Sequence, residues 1–183
     1  YVLPDLSTAE IFSNAGNYNQ VPVILGTTRD EPALFMVRDP RHVDYLLGFL
    51  PRFKDENSYL RLVKYGALHW KERGVDSLAR AMTESGNKHV YAYRFDWDEE
   101  PNQWGFDLSK ALGAAHGLEI AFAFNDFAGM FDTSFIYPGN AAQFALADSM
   151  SSYWTAFATK GDPGRGQNGA QEHWLAWGTE GKR

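Results

Sequence analysis

Apolar residues gather along this chain in a few short, dense runs, and the period of each run assigns it an element. Val21-Pro-Val-Ile-Leu-Gly26 is compact, rich in β-branched residues and bounded by turn formers, which predicts a strand covered on both faces, as in a parallel sheet. Pro22 is compatible with this because proline is tolerated at the first residues of a strand. The run from His89 to Phe95 resumes strand character through Val90, Tyr91, Tyr93 and Phe95. Residues 39–86 read as helical segments punctuated by Pro40 and Pro51, with Val75, Leu78, Ala79 and Met82 at helical spacing before Gly86 supplies a stop. From Asn140 to Lys160 the period is again helical. Phe144, Ala147, Met150, Trp154, Phe157 and Ala158 recur three or four apart, Gly139-Asn140 opens the helix, and Gly161 with Pro163 closes it.

Shorter signals fill in the rest. Residues 1–20 carry Pro4 and the turn cluster Gly16-Asn-Tyr-Asn-Gln20, and predict an entry loop with a short helix at Thr8 to Ser13. Asp30 and Glu31, followed by Pro32 and Ala33-Leu-Phe-Met36, predict a loop that opens a helix, with acid at its positive end and proline in its first turn. Residues 164–183 are glycine-rich and polar apart from Trp174, Leu175 and Trp177. The sequence has neither an internal repeat nor a clear linker.

Two strands separated by helices imply a parallel pair with a right-handed crossover, and so an α/β fold. Each strand then delivers its following loop to the same sheet edge, where open α/β sheets build their sites. One of those loops carries Glu31 and the other leads to His116. The 39–86 excursion is longer than a simple crossover requires, so part of it is expected to form a cap or lid. With 183 residues the chain is long enough for one substantial core, and a fully independent second domain is not expected.

Composition removes several functions. A chain that is 44% hydrophobic and 15% aromatic is not a disordered tail. The net charge of −6 disfavours nucleic acid or an anionic membrane as partner. No run of about 18 apolar residues exists to span a bilayer. The absence of cysteine excludes disulfides, thiolate nucleophiles and cysteine-type zinc sites, and fits a cytoplasm without fixing the compartment. The chain opens on Tyr1 without a signal-peptide pattern and closes on Gly178-Thr-Glu-Gly-Lys-Arg183, and it reads as a piece of something longer.

The chemistry centres on Leu112-Gly-Ala-Ala-His116-Gly-Leu-Glu119. Small neighbours leave the imidazole reachable, and Gly113 and Gly117 permit unusual backbone angles. A histidine satisfied in a loop is the plainer reading. A general base needs a carboxylate to fix its tautomer, and either Asp30 or Glu31 is placed to provide it. No serine stands in a Gly-x-Ser-x-Gly elbow, so the nucleophile is not visible. His42, His69, His89 and His173 lack partners at metal-ligand spacing and read as surface or packing; neither metal nor cofactor is expected. Phe122, Phe124, Phe127, Phe131 and Phe135 fit a substrate pocket and a core equally well.

Four motifs together resemble the type-B carboxylesterases, the family of cholinesterases and bacterial para-nitrobenzyl esterases. Val21 to Glu31 with Ala33-Leu-Phe35 is similar to the segment that bears the family's triad acid, and Val90-Tyr-Ala-Tyr-Arg-Phe-Asp96 to its last buried strand. Gly113-Ala-Ala-His-Gly-Leu-Glu119 resembles its histidine motif, and Met150 through Pro163 the helix and turn that follow. The motifs occur in the family's order over nearly the whole chain.

The resemblance implies that residues 1–183 are the C-terminal part of a single α/β-hydrolase domain, with 39–86 as a helical excursion within it. It puts the triad acid on Glu31 and the base on His116, and makes Glu119 a hydrogen-bonding partner near the site. Asp30, adjacent to Glu31, points elsewhere if the loop is extended and reads as structural. The nucleophilic serine and oxyanion hole would lie in the N-terminal part of the same enzyme, the substrate would be a small-molecule ester, and this piece alone would be inactive. Pro32 departs from the glycine that the family often has after the acid, and the missing cysteines favour a bacterial-type member. Two rivals remain at this level: a cholinesterase-like binding module without chemistry, and a natural subunit that pairs with a serine-bearing partner.

Overall fold

A computed structural model of the chain describes residues 5–128 and 136–178. Within them, β1 (Val23–Thr28) and β4 (Val90–Phe95) form a two-stranded sheet. Val23 N–H donates to His89 O and Arg29 N–H to Phe95 O, each at a constant offset of partners, which is the register of a parallel pair. Strands of this kind need a long connection, and here it is mostly helical. It contains α2 (Ala33–Met36), α3 (Glu56–Lys71), a π-helical turn (Glu72–Asp76) and α4 (Ser77–Glu84). Val75, Ala79 and Met82 lie buried along the last part of that run, and Gly86 follows it with φ +105°.

The connection is not helical throughout. Residues 43–53 form an antiparallel hairpin of β2 (Val43–Leu46) and β3 (Leu50–Phe53), with Val43 opposite Phe53 and Tyr45 opposite Pro51. Its turn holds Leu47 at φ 55° and Gly48 at φ 80°. A leucine in that region carries a steric cost that residue patterns do not foresee. A second small hairpin, in the segment that leads from β4 to His116, pairs β5 (Asn102–Gln103) with β6 (Phe106–Asp107). Trp104 and Gly105, both at positive φ, make its turn.

The remaining helices are short except the last. In α1 (Thr8–Phe12), Ser7 and Glu10 form a reciprocal capping box. Asp107 caps α5 (Leu108–Ala111) by accepting from the amides of Ser109 and Lys110, and α6 (Glu119–Phe124) ends on Asn125 in the left-handed region. Ahead of α7 (Ala141–Lys160), Gln143 N–H donates to Asn140 Oδ1 and Gly139 N–H donates to Gln143 Oε1. Gly161, at φ +69°, closes that helix by donating its amide to Phe157 O. Gln143, Ala147, Met150 and Ala156 are its buried positions; Phe144, placed on the core stripe by its spacing, is 46% exposed.

The chain divides into two compact units. One comprises residues 5–27, 70–93 and 152–178. Its core joins Ala79, Met82 and Val90 to Phe12, Tyr18, Val23, Leu25 and Trp177, beside an aromatic group in which Trp174 meets Tyr91, Tyr93, Tyr153 and Trp154. The other unit comprises residues 28–69, 94–128 and 136–151. There Phe122, fully buried, is ringed by Phe95, Trp97, Phe127 and Tyr137, and Tyr59 packs on Phe53. No helix among the described residues is long and apolar enough to cross a membrane.

Candidate active site

The second unit contains the loops that follow β1 and β4. Where β1 ends, Thr28 N–H donates to Glu31 Oε1 at 2.8 Å, which turns the glutamate side chain back over the strand end. Pro32 then serves as the first cap of α2, where its fixed φ costs nothing and no amide hydrogen is needed. Proline at this position is therefore compatible with the loop.

The histidine arrives from the other side of the sequence. Leu112 N–H donates to Leu108 O to end α5, Gly113 takes φ +50°, and Ala114 and Ala115 are completely buried. Two residues of this size let the loop press into the unit, while His116 emerges with its side chain 45% exposed. Its Nδ1 lies 2.7 Å from Glu31 Oε2, and the Glu31 side chain is only 5% exposed. An ionised carboxylate can only accept, so the ring proton of a neutral imidazole sits on Nδ1 and Nε2 is the basic nitrogen. An accessible imidazole backed by a buried carboxylate is an arrangement able to take up and return a proton. Phe35, one turn along α2, stands beside the imidazole with ring centroids 5.6 Å apart.

Asp30 is directed elsewhere. Its Oδ2 accepts from Ala114 N–H at 3.1 Å and from Arg29 Nε at 2.9 Å, and Arg29 reaches on to Asp98 at 2.8 Å. Spacing alone makes Asp30 and Glu31 equal candidates for the histidine's partner; the geometry gives that contact to Glu31.

Two buried groups that sequence reading passed over belong to the same unit, Tyr59 against the loops that carry the pair and Glu100 beside Asp98 and Asp30. Tyr59 is fully buried and donates its hydroxyl toward Ala111 O and Ala33 O, and burial holds that hydroxyl well above the usual phenol range. Glu100 is 6% exposed, and no other described residue donates to either of its oxygens. Burial pushes its pKa up to about 8, with the charges of Asp98 and Asp30 adding to the shift. Glu119 is displaced upward too, first by burial and then by the charge of Glu31, and its Oε2 is buried without a hydrogen-bond partner among the described residues. No local pattern marks a buried tyrosine or glutamate as adjacent to a site so distant in sequence.

The phenylalanines separate. Phe122 is core, Phe124 is 78% exposed, Phe127 is half-buried, and Phe131 and Phe135 lie outside the described residues. His42 packs on Tyr59, whereas His69, His89 and His173 are exposed. Among the described residues no group of three or more histidine, aspartate or glutamate side chains is placed to hold a metal ion.

Similarity to known proteins agrees with this architecture. The profile described as Carboxylesterase family matches residues 66–183, which include β4, His116 and α7, and the chain belongs to that family. A para-nitrobenzyl esterase from Bacillus subtilis (strain 168) is 27% identical over 163 residues, covering 81% of this chain and 31% of that protein. A solved structure titled PNB esterase matches with a TM-score of 0.56 at 22% identity, over 85% of this chain and 32% of that one. The fold is thus part of an α/β-hydrolase, and the chain spans about a third of the length of both relatives.

Proposed function

We propose that this chain supplies the acid and base of a serine carboxylesterase. His116 is the general base, Glu31 holds its ring, and a serine elsewhere in the same enzyme is the nucleophile. Support comes chiefly from one observation, the 2.7 Å approach of Glu31 Oε2 to His116 Nδ1, in a chain of the carboxylesterase family.

In this mechanism the serine oxygen attacks the ester carbonyl as its proton passes to His116 Nε2. Glu31 stabilises the imidazolium across the Nδ1 contact without becoming protonated itself. The imidazolium then protonates the departing alkoxide, leaving an acyl-enzyme. A water molecule repeats the sequence, giving its proton to His116 as it attacks, and the same proton returns to the serine. Residues 1–183 alone do not turn over an ester on this reading. The name of the Bacillus relative points to esters of aromatic alcohols as the first substrates to try.

The test is His116→Ala in the full-length enzyme, assayed on a short-chain p-nitrophenyl ester. A fall in kcat of about 10⁴-fold or more is expected. Activity within tenfold of the parent would overturn the assignment of the base.

A further inference from the structure

The carboxylate beside the acid forms a bridge of its own. Asp30 N–H donates to Ala114 O at 2.9 Å, and Ala114 N–H donates back to Asp30 Oδ2 at 3.1 Å. One residue of the acid loop thereby holds both polar backbone groups of one residue of the histidine loop. Glu31 is the next residue after the first, and His116 stands two beyond the second. Any shift of one loop against the other must stretch this double link, so the link controls the distance between Glu31 and His116.

The remainder of the neighbourhood is built around that oxygen. Arg29 Nε donates to Asp30 Oδ2 at 2.9 Å, and Arg29 is held in turn by Asp98 Oδ2 at 2.8 Å and by the carbonyl of Asp96. The carboxylate is therefore fixed from outside as well as by Ala114. Gly113 completes the fit: a Cβ there would lie 2.5 Å from Asp30 Oδ2 and 3.2 Å from Ser109 O. The carboxylate occupies the space that a side chain at position 113 would take, and the φ of +50° independently favours glycine.

We infer that Asp30 is a positioning residue of the reaction: through its paired hydrogen bonds with Ala114 it sets the register between the acid loop and the histidine loop. This rests on the reading of His116 as base and Glu31 as its orienting acid. On this reading Asp30 acts through where those two side chains are held, by way of its bonds to Ala114 and Arg29. Misplacing a catalytic group by about 1 Å costs up to about 100-fold in rate, while the binding of substrate away from the reacting bond is little affected.

Two substitutions in the full-length enzyme separate positioning from bulk stability. Asp30→Ser removes an acceptor long enough to reach Ala114 N–H, and Asp30→Asn keeps one in nearly the same place while losing the ion pair with Arg29. Rates on a p-nitrophenyl ester are normalised to active sites counted by stoichiometric phosphonylation, so that misfolded protein does not contribute. Asp30→Ser should lower kcat per site about 10- to 100-fold with KM within about threefold, and Asp30→Asn should stay within about threefold of the parent in both. Equal kcat per site in the two variants, whether both high or both low, overturns the proposal, as does a loss that appears in KM alone. His116→Ala run in parallel distinguishes the causes: if it remains active, the base assignment has failed, not merely the register.

Discussion

The hydroxyl of Tyr59 reaches the carbonyls of Ala33 and Ala111, which lie directly after the acid loop and just before the histidine loop in the chain. One side chain on α3 thus ties both loops to the body of their unit, and it does so from a fully buried position. Tyr59→Phe keeps the ring and leaves both carbonyls without this donor. A loss of about 1–3 kcal/mol in unfolding free energy is expected, because a buried acceptor deprived of its partner retains its desolvation cost. Urea unfolding of the full-length protein measures it, and an unchanged midpoint would show that water replaces the hydroxyl.

Glu100 predicts a dependence of stability on pH. Its pKa rises from the ordinary glutamate value of 4.5 to about 8 in the folded protein because burial penalises the charged form. Between these values the unfolded chain has released the proton and the folded chain still holds it, so stability falls as pH rises through that window and levels off above it. Glu100→Gln removes the titration. The gap between variant and parent in urea midpoint should widen in the variant's favour from pH 5 to pH 8; a constant gap would place the carboxylate in a solvated environment.

Gly26 faces a close approach within the first unit. A Cβ at this position would lie 1.9 Å from the ring of Tyr93, which itself packs on Trp154 with centroids 5.0 Å apart. Gly26→Ala should force the tyrosine off its tryptophan, at a cost of about 1–3 kcal/mol. A lowered unfolding midpoint with altered near-ultraviolet circular dichroism is the expected signature, and a variant with parental values in both would indicate that β1 yields more easily than its surroundings imply.

The sequence carried the elements whose pattern and punctuation agree. Val23–Thr28 and Val90–Phe95 are dense β-branched and aromatic runs, and α7 has Asn140 at one end and Gly161 at the other. Leu47 and Trp104 concealed the two hairpins, since both adopt positive φ where composition points to glycine or asparagine. The excursion at 39–86 accordingly reads as more helical than it is. Phe144 follows the helical period yet remains exposed because period gives a face of the helix and not what covers it.

For the candidate site, the resemblance named Glu31 and His116, while spacing by itself did not choose between Glu31 and Asp30. That choice is made by two hydrogen bonds, one local from Thr28 to Glu31 and one long-range from Ala114 to Asp30, each donated by a backbone amide. Backbone partners leave no trace in residue identity. The same reason hides Tyr59, whose acceptors are both main-chain carbonyls.

The most direct test of the central claim is a double-mutant cycle on the pair that lies 2.7 Å apart. Glu31→Gln, His116→Ala and the double variant are made in the full-length protein, and kcat is measured per mole of folded protein, checked by circular dichroism, on one p-nitrophenyl ester. If the carboxylate acts only through the imidazole, Glu31→Gln lowers kcat by about 10³- to 10⁴-fold and the double variant is no slower than His116→Ala alone. Losses that multiply in the double variant would contradict the account, because the two side chains would then be working independently.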